Sequence, residues 1–385
     1  MIAVWAQPRP PASGERVPSR RRGVTSFEVR AGARSYDVLI GTGLLNRAGE
    51  LIGKRLPERR CAVVCDTTVA ALFAQQLEST LIAAGLQPAR IVVPAGESAK
   101  TLEQAGAVCE QLIAAGLDRQ SFVIGLGGGV IGDLSGFVAA VFHRGIPHVQ
   151  IPTTLLAMVD SSIGGKTAVN TSAGKNLLGA VHQPALVIDD VDFLQTLPPG
   201  EFKQAFAEII KHAIIADAEM FGDLQQIPAP KLDRFNQSSL GDLIRRNVEL
   251  KARFVARDER DRTGERAILN FGHTVGHAIE RAGNYEQFRH GEAISLGMVA
   301  ACSVSIKKAG LAQTQRDAIV DLLRKFDLPT SLPSEFPRDR IFEALKLDKK
   351  FEGGEVRFVV TPKIGSTYLS RAVTLDEIRE AIELL

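Results

Sequence analysis

Three separated segments in the second half of the chain carry side chains that can bind a metal ion. They read AEIIK around Glu208, NFGHTVGHAIE around His273 and His277, and RHGEA at His290. Together they supply one carboxylate and two or three imidazoles, the donor set of an open zinc site that leaves a position for water or substrate. A glycine-rich strand-to-helix turn lies upstream, and a divalent metal beside a dinucleotide suggests chemistry on a hydroxyl or carbonyl group.

Each segment alone also has an ordinary structural interpretation. Glu208 and Lys211 are three residues apart, so a surface ion pair on one helical face would explain them. His273 and His277 share a helical face, but an isolated pair with this spacing is more often fortuitous. The coincidence of all the segments in one part of the chain, each flanked by apolar residues, favours a metal site.

Further cationic and amide side chains accompany the histidines. They are Lys251, Arg266 and Asn270, followed later by Lys349 and Lys350 in LDKKFEGGE. A substrate with several anionic groups would explain so many cations near one metal.

The glycine-rich turn has the pattern G-x-G-x-x-G at Gly127, Gly129 and Gly132, where a strand ends and a helix begins. Such a turn lets the backbone approach a pyrophosphate, whose charge the helix N-terminus favours. The pattern departs from the usual fingerprint because no acidic residue ends a strand shortly afterwards, and a tight packing turn is the alternative. Asp66, at the end of CAVVCD, is a candidate ribose partner from elsewhere in the sheet.

A second glycine-rich segment, VDSSIGGKTAVNTSAGKN, carries Asp160, Lys166, Lys175 and Asn176. Two lysines on glycine-rich loops can neutralise a phosphate or carboxylate. A solvated surface loop is the alternative, but the preceding TTLLAMV is too apolar for that, which favours a ligand role.

The elements that must position these residues fall into two groups. FEVR and YDVLI predict an opening hairpin, and CAVVCD, RIVVP, SFVIGLGG, HVQIP and ALVIDD predict buried strands that alternate with helices. Long helical patterns follow at 202–223, 240–256, 267–281, 291–309, 315–326 and 376–384, interrupted by a hairpin in EVRFVVTPKIGSTYLS. The expected fold is an α/β N-terminal domain (27–197) with a mostly parallel nucleotide-binding sheet, then a mostly α-helical metal-binding domain (198–385).

Composition narrows the class of protein. The 385 residues carry 46 basic and 44 acidic side chains, a net charge of +2, which argues against a nucleic-acid partner. The cysteines form no CxxC pair and no apolar run is long enough to cross a membrane, so a cytoplasmic enzyme with reduced thiols is expected. Residues 1–26 are rich in proline and arginine and are expected to be a disordered extension or to follow an upstream start codon.

Seven motifs together resemble the 3-dehydroquinate synthase family. They are GGGVIGDLSGFVAAVFHRGI, IPTTLLAMVDSSIGGKTAVN, AGKNLLGAVHQP, TLPPGE, AEIIKHAII, LNFGHTVGHAIE and HGEAISLGM, which occur in the family's order and spacing. The resemblance extends from about Tyr36 to LDKK, nearly the whole chain beyond the N-terminal extension. It departs from the family at Met158, Ala168 and Gly200, none of which is a proposed ligand or cation.

The resemblance implies a set of roles, and it implies zinc or cobalt, NAD in the cleft between the domains, and a homodimer. The metal ligands would be Glu208, His273 and His290, which leaves His277 as a substrate contact and possible proton relay. The substrate positions would be Asp160, Lys166, Asn176, Lys211, Lys251, Arg266, Asn270 and one of Lys349 and Lys350, with Arg144 reaching the substrate site of the neighbouring subunit. The NAD contacts would be Asp66, Glu97, Lys100, Gly128, Gly129, Asp133, Thr153, Thr154, Lys175, Phe193 and Thr196.

The implied reaction converts 3-deoxy-D-arabino-heptulosonate 7-phosphate to 3-dehydroquinate and phosphate, a step towards aromatic amino acids. It would proceed by transient oxidation by NAD, β-elimination of phosphate, re-reduction, ring opening and intramolecular aldol closure. Three alternatives remain open at this point. They are another sugar-phosphate cyclase, a metal-dependent alcohol dehydrogenase of the glycerol dehydrogenase type, and a non-catalytic paralogue that serves as a binding or scaffold protein.

Overall fold

The computed structural model describes residues 19–21, 24–227, 236–346 and 356–385. Its strands are β1 (Ser19–Arg21), β2 (Val24–Ala31), β3 (Arg34–Gly41), β4 (Arg60–Asp66), β5 (Gln87–Val93), β6 (Ser121–Gly127), β7 (His148–Pro152), β8 (Lys166–Thr171), β9 (Gly174–Val181), β10 (Leu186–Asp190), β11 (Phe358–Lys363) and β12 (Ser366–Ser370). Its helices are α1 (Ala48–Arg55), α2 (Thr67–Val69), α3 (Gln75–Ala83), α4 (Leu102–Ala114), α5 (Gly129–Val141), α6 (Pro199–Ala216), α7 (Ala218–Gln226), α8 (Gln237–Arg257), α9 (His273–Ala282), α10 (His290–Ala309), α11 (Gln313–Lys325), α12 (Arg338–Lys346) and α13 (Leu375–Glu383). Within these ranges no helix is both long and apolar enough to cross a bilayer.

The main sheet has the strand order β1-β2-β3-β10-β7-β6-β4-β5. The six strands from β3 to β5 in this order are parallel neighbours, and β2 pairs in antiparallel fashion with both β1 and β3 at one edge. The chain passes from β4 outward to β5 and then returns to β6 on the other side of β4. This reversal makes a switch point between β4 and β6, and ligands of open α/β sheets bind beyond the carboxyl ends of the strands at such a point.

Both faces of the sheet are covered, as the continuous apolar runs of β4, β6 and β10 require. One core lies under α4 and α5 and includes Leu112, Val123 and Phe137. The other core continues from the opposite face of the sheet into the helical part, where it includes Phe206 and Phe326. The sheet and the helices that carry the metal donors therefore share one apolar core.

Two of those helices, α9 and α10, touch through their backbones. The carbonyl oxygen of Gly272 lies 2.1 Å from the position that a Cβ atom at Gly297 would take, so a side chain at Gly297 would collide with it. A Cβ at Gly272 would in turn lie 2.8 Å from the amide nitrogen of Met298, and Gly272 also has a φ of 78°, which favours glycine. Gly272 is the residue immediately before α9, so this contact fixes where His273 begins the helix.

The predicted fold class is confirmed, including the opening hairpin, all five buried strands and the hairpin near the C-terminus. Two segments that were predicted to be continuous helices are interrupted in the structure. The segment 202–223 breaks at Asp217, whose side chain caps α7 through the Met220 amide, and the segment 267–281 is a 3-10 helix (Arg266–Asn270) that Gly272 separates from α9. The antiparallel pair β8 and β9 and the helix α12 were not predicted.

The predicted N-terminal extension 1–26 lies largely outside the described residues. Of that range, Ser19–Arg21 form β1, which pairs with the start of β2 from Val24 to Ser26. The last residues of the range therefore belong to the edge of the main sheet.

Candidate active site

The three predicted metal ligands converge on one point between α6, α9 and α10. The Oε1 atom of Glu208 lies 3.3 Å from the Nε2 atom of His273 and 3.3 Å from the Nε2 atom of His290. Glu208 is fully buried, and its Oε1 atom accepts no well-formed hydrogen bond from the described residues. A buried carboxylate oxygen facing two imidazole nitrogens is the donor set that a divalent metal requires.

Polar contacts on the far side of each ring, a hydrogen bond for His273 and an ion-pair contact for His290, orient the two imidazoles. The Nδ1 atom of His273 lies 3.2 Å from the carbonyl oxygen of Phe271, so a proton on Nδ1 donates to that carbonyl and the lone pair of Nε2 is available to a metal ion beside Glu208. The Nδ1 atom of His290 faces the Oε2 atom of Glu280 at 3.5 Å. A partner on the second ring nitrogen is the usual way in which a metal-binding histidine is held.

Protons compete with a metal ion at this cluster. Burial would lower the pKa of His290, but the carboxylates of Glu208 and Glu280 outweigh it and raise that pKa to about 10. Burial would likewise raise the pKa of Glu208, yet Lys211 and His273 hold it well below its ordinary value. Metal binding at neutral pH must therefore displace a proton from His290.

Two further groups of donor atoms lie beside the first one, and both share a residue with it. They are His277, Glu280 and His290, and Asp160, Glu208 and His212. The second of these already contacts two ammonium groups, because Lys251 donates to the Oδ1 atom of Asp160 and Lys211 donates to the Oε2 atom of Glu208. The neighbouring positive charges disfavour a second cation there.

Two buried cations, Lys251 and Arg266, contact the segment that carries Asp160 and Gly164. Lys251 bonds the carbonyl oxygen of Asp160 at 2.7 Å as well as its carboxylate, and Arg266 donates to the carbonyl oxygen of Gly164 at 3.1 Å. Burial lowers the pKa of Lys251 to about 8, against the opposing influence of Asp160. The same pair of lysines, Lys251 and Lys211, holds the pKa of Asp160 below its usual range although burial acts to raise it.

The predicted nucleotide residues lie at the carboxyl ends of the parallel strands, around the switch point. Gly128 precedes α5, whose first turn follows β6 directly, and the amide nitrogen of Thr153 donates to the carbonyl oxygen of Gly127 at 3.0 Å. Asp66 ends β4 on the other side of the switch point and accepts from the amides of Thr68 and Val69. The glycine turn and the candidate ribose partner thus flank one crevice.

A network of polar side chains joins this crevice to the β8–β9 hairpin. The Nζ atom of Lys100 lies 2.5 Å from the Oδ2 atom of Asp133 and 2.5 Å from the Oδ1 atom of Asn176, and Lys100 itself is buried. Glu97 joins the same region by accepting from the Nδ2 atom of Asn170 at 2.7 Å. Burial raises the pKa of Asp133 even though Lys100 acts to lower it.

The remaining predicted residues occupy varied positions. Lys166 pairs with Asp261 at 2.6 Å, Lys175 pairs with Glu280 at 3.3 Å, Asn270 ends the 3-10 helix before α9, and the rings of His277 and His273 are 5.2 Å apart. Thr154 accepts from the Ala157 amide, Thr196 donates to the carbonyl oxygen of Phe193, and the Phe193 ring packs edge-on against Phe73 in the core. Lys349 and Lys350 lie outside the described residues.

Arg144 stands apart from these residues. It lies exposed in the turn after α5 with a φ of 69°. No hydrogen bond or ion pair in the described ranges links it to the other predicted site residues. The role predicted for Arg144 is a contact with the substrate site of a neighbouring subunit, and the structure describes one chain.

Sequence reasoning did not identify Glu280 or the pair His212 and Asn247. The Nδ1 atom of His212 lies 2.9 Å from the Oδ1 atom of Asn247, whose Nδ2 atom donates to the carbonyl oxygen of Leu243 at 2.8 Å. This arrangement directs the Nε2 atom of His212 towards Asp160, 3.9 Å away. A signal was available for Glu280, because it lies seven residues after His273 in the quoted motif and therefore on the same helical face.

Comparisons with known proteins agree with this arrangement. Two family profiles match the chain, 3-dehydroquinate synthase N-terminal over residues 90–204 and 3-dehydroquinate synthase C-terminal over residues 205–351. The 3-dehydroquinate synthase of Symbiobacterium thermophilum is 43% identical over 357 residues, which cover 92% of this chain and 99% of the relative. That of Pelobacter propionicus is 44% identical over 337 residues, which cover 88% of this chain and 93% of the relative.

Among solved structures, 2-epi-5-epi-valiolone synthase from Streptomyces hygroscopicus, with NAD+ and Zn2+ bound, is similar with a TM-score of 0.83. It is 29% identical, and the match covers 92% of this chain and 98% of that chain. The chain therefore has the sugar-phosphate cyclase fold, a mostly parallel sheet joined to a helical part. The chain belongs to the 3-dehydroquinate synthase family, as its motifs predicted.

Proposed function

We propose that this chain is an NAD- and metal-dependent carbon–oxygen lyase that makes 3-dehydroquinate and phosphate from 3-deoxy-D-arabino-heptulosonate 7-phosphate. The observation that carries the proposal is the convergence of Glu208, His273 and His290 on one point beside the buried cations Lys251 and Arg266. Membership of the 3-dehydroquinate synthase family supports the same reaction. The domains proposed for it are 27–197 for NAD and 198–385 for the metal, with the substrate in the cleft between them.

Glu208, His273 and His290 would hold the metal, zinc or cobalt, through one carboxylate oxygen and two Nε2 atoms. The orphaned, buried Oε1 atom of Glu208 supports this fit. When bound, the metal polarises the carbon-5 hydroxyl of the substrate as a Lewis acid. Lys211 contributes by holding the other oxygen of Glu208, so that Oε1 faces the two histidines.

NAD would lie across the switch point with its pyrophosphate at the first turn of α5. Glycine at the start of α5 supports this placement, because a helix N-terminus favours a pyrophosphate and a Cβ at Gly129 would lie only 3.1 Å from the Oγ atom of Ser161. NAD held there would supply a reversible hydride acceptor for carbon 5, which the cycle regenerates. Asp66 would bind the ribose, and Lys100, Asp133, Lys175 and the threonines Thr153, Thr154 and Thr196 would line the site.

The cations would hold the substrate in one orientation throughout the reaction. The proposed anchors of its carboxylate and phosphate are Lys166, Lys211, Lys251 and Arg266, with Asp160, Asn176 and Asn270 as polar neighbours. Oxidation at carbon 5 acidifies the adjacent C–H bond, and loss of that proton expels phosphate with the bonding electron pair. Anchored phosphate stabilises the charge that develops on the leaving group. His277 would relay protons to solvent, a role that its exposure beside His273 supports.

Replacing Gly129 by valine should weaken NAD binding at least about tenfold, because the new side chain occupies the approach to the pyrophosphate site. Calorimetric titration with NAD, at saturating zinc, measures the effect. Gly106→Ala is a suitable control because it is also a helical glycine, in α4, and has nothing within 4 Å of its Cβ position. Unchanged NAD affinity in Gly129→Val would contradict the placement of the dinucleotide.

We also propose a homodimer that works in the cytoplasm. Exposed apolar side chains around Arg144 support an interface there, since Val141 ends α5 and Leu177, Leu178 and Val181 lie on β9, which contacts α5. The free cysteines Cys61, Cys65, Cys109 and Cys302 fit a reducing compartment. Analytical ultracentrifugation should give twice the 41.5 kDa mass of the chain, and a monomer at working concentration would count against the dimer.

The decisive test of function is an assay of the purified protein with the heptulosonate phosphate, zinc and substoichiometric NAD. We expect phosphate and 3-dehydroquinate in equal amounts and no net NADH. Accumulating NADH, or turnover only with a glycerol-like alcohol, would instead establish a dehydrogenase. Turnover of a different sugar phosphate would indicate another cyclase, and failure to bind zinc would favour a non-catalytic paralogue.

A further inference from the structure

Glu280 is a buried carboxylate that lies between the metal ligands and the β8–β9 hairpin. It is 4% exposed and lies on α9, two helical turns beyond His273. Its two oxygen atoms face different partners. One faces His290 of α10, and the other faces Lys175 of β9.

The geometry on the metal side separates the two nitrogen atoms of His290. Nε2 lies 3.3 Å from the Oε1 atom of Glu208, whereas Nδ1 lies 3.5 Å from the Oε2 atom of Glu280. A neutral imidazole accepts at one ring nitrogen and donates at the other. If Nε2 binds the metal, Nδ1 carries the remaining ring proton. Glu280 is then the carboxylate that accepts a hydrogen bond from Nδ1.

The other side of Glu280 reaches into the α/β part of the chain. The Nζ atom of Lys175 lies 3.3 Å from the Oε1 atom of Glu280 and 4.4 Å from the centre of the Tyr285 ring. Tyr285 lies in the turn between α9 and α10. Lys175 therefore contacts α9 at Glu280 and the following turn at Tyr285. The charge of Glu280 is thereby balanced by a cation from the β8–β9 hairpin.

Glu280 also belongs to a second group of donors, with His277 and His290, and could in principle be a ligand itself. That role would require the Nδ1 atom of His290 as the metal-binding nitrogen and would leave Oε1 of Glu208 without its imidazole partner. It would also compete with Lys175 for the same carboxylate. The convergence of two Nε2 atoms on the buried Glu208 Oε1 favours the other arrangement.

We propose that Glu280 is a positioning residue that fixes the Nδ1-protonated tautomer and the orientation of His290, so that Nε2 is presented to the metal. The proposal rests on the proposed function in one respect, that Glu208, His273 and His290 bind a divalent metal. The second interaction of Glu280, the ion pair with Lys175, holds its carboxylate between α9 and the β8–β9 hairpin. Glu280 would therefore stabilise the metal centre although it is neither a metal ligand nor a substrate anchor.

The test measures zinc affinity by competition with a chromogenic chelator, without any turnover. Glu280→Gln removes the charge with little change of shape, and zinc affinity should fall about 10- to 100-fold, as is typical when the partner of a ligating histidine is lost. Lys175→Met removes only the second interaction and should change zinc affinity by no more than about threefold. Glu110→Gln, an exposed residue of α4, is the matched control and should bind zinc like the wild type.

Cobalt absorption distinguishes a positioning residue from a ligand. At saturating Co2+, Glu280→Gln should keep the visible band positions and intensities of the wild type, because the coordinating atoms are unchanged. Altered bands would make Glu280 a ligand and overturn the proposal, as would wild-type zinc affinity in Glu280→Gln or an equal loss in Lys175→Met. If Glu280→Gln does not fold by circular dichroism, Glu280→Asp, which keeps the charge but shortens its reach, takes its place with the same expected outcomes. A wild-type protein that binds no metal would instead refute the proposed function.

Discussion

Glu208→Ala should lose its metal and, with it, at least about 1,000-fold in kcat/KM, because a Lewis acid supplies several kcal/mol of transition-state stabilisation. The Oε1 atom of Glu208 is the common neighbour of both histidine Nε2 atoms, so its removal dismantles the donor set. The measurement is metal content after dialysis against a weak chelator, followed by steady-state kinetics with zinc restored. Turnover at the wild-type rate by the metal-free variant would contradict the proposal that Glu208 binds a catalytic metal.

Stability must be separated from chemistry in that experiment. Removing Glu208 strands the buried ammonium of Lys211, and an unpaired buried charge can destabilise a fold by about 3–5 kcal/mol. Glu208→Gln retains an oxygen that can accept from Lys211 and should fold more stably while still binding the metal poorly. Glu383→Gln, an exposed residue of α13, serves as the control for both variants. Thermal unfolding of the whole set reports which losses come from the fold.

Lys251→Met should lower kcat/KM about 100-fold, since a charge-assisted contact with an anionic substrate contributes about 1.5–3 kcal/mol. The wild-type enzyme should also lose activity as the pH rises. Burial, together with Arg266 and Lys211, lowers the pKa of Lys251 to about 8 against the attraction of Asp160. Above that pH the ammonium becomes neutral and no longer attracts the substrate, so kcat/KM should fall on the alkaline side.

The sign of the stability change distinguishes this loss from alkaline unfolding. Between pH 8 and the unfolded lysine value of about 10.4, the unfolded chain binds the proton that folded Lys251 has released. The contribution of Lys251 to the free energy of unfolding therefore increases with pH in that window. Lys251→Arg, which stays charged, should move the alkaline limb upward, whereas Lys54→Met on the surface of α1 should leave it in place. An alkaline limb unchanged in Lys251→Arg would remove Lys251 as its cause.

The parallel sheet was predictable because its signal is local. Runs such as CAVVCD and ALVIDD are short, apolar and ended by polar residues, and buried parallel strands have few other ways to appear in a sequence. The antiparallel pair β8 and β9 lacked that signal, since β9 exposes Leu177 and Leu178 and its glycines resemble a loop. The break before α9 was also hidden, because it depends on contact between Gly272 and α10, which a one-dimensional pattern does not contain.

Some residues of the candidate site could be predicted from the sequence, whereas others could not. Motifs gave Glu208, His273 and His290 with their residue numbers, and the structure brings their donor atoms together. Glu280 was missed although it lies inside a quoted motif, because a buried glutamate on an apolar helix is informative only once its neighbours are known. Lys175 is the clearest case, since its contacts with Glu280 and Tyr285 join residues more than a hundred positions apart.

The direct backbone contact between α9 and α10 has a consequence for how the metal centre tolerates change. His273 and His290 begin two helices that have no side chains between them where Gly272 meets Gly297, so nothing compressible sets their separation. The separation of the two helices at this crossing is therefore set by the main chain. Substitutions in the surrounding apolar core can alter stability while leaving that distance intact, whereas one added methyl group at the crossing would displace both ligands together. The crossing of α9 and α10 is thus the place where a small change of sequence would alter the candidate metal site most directly.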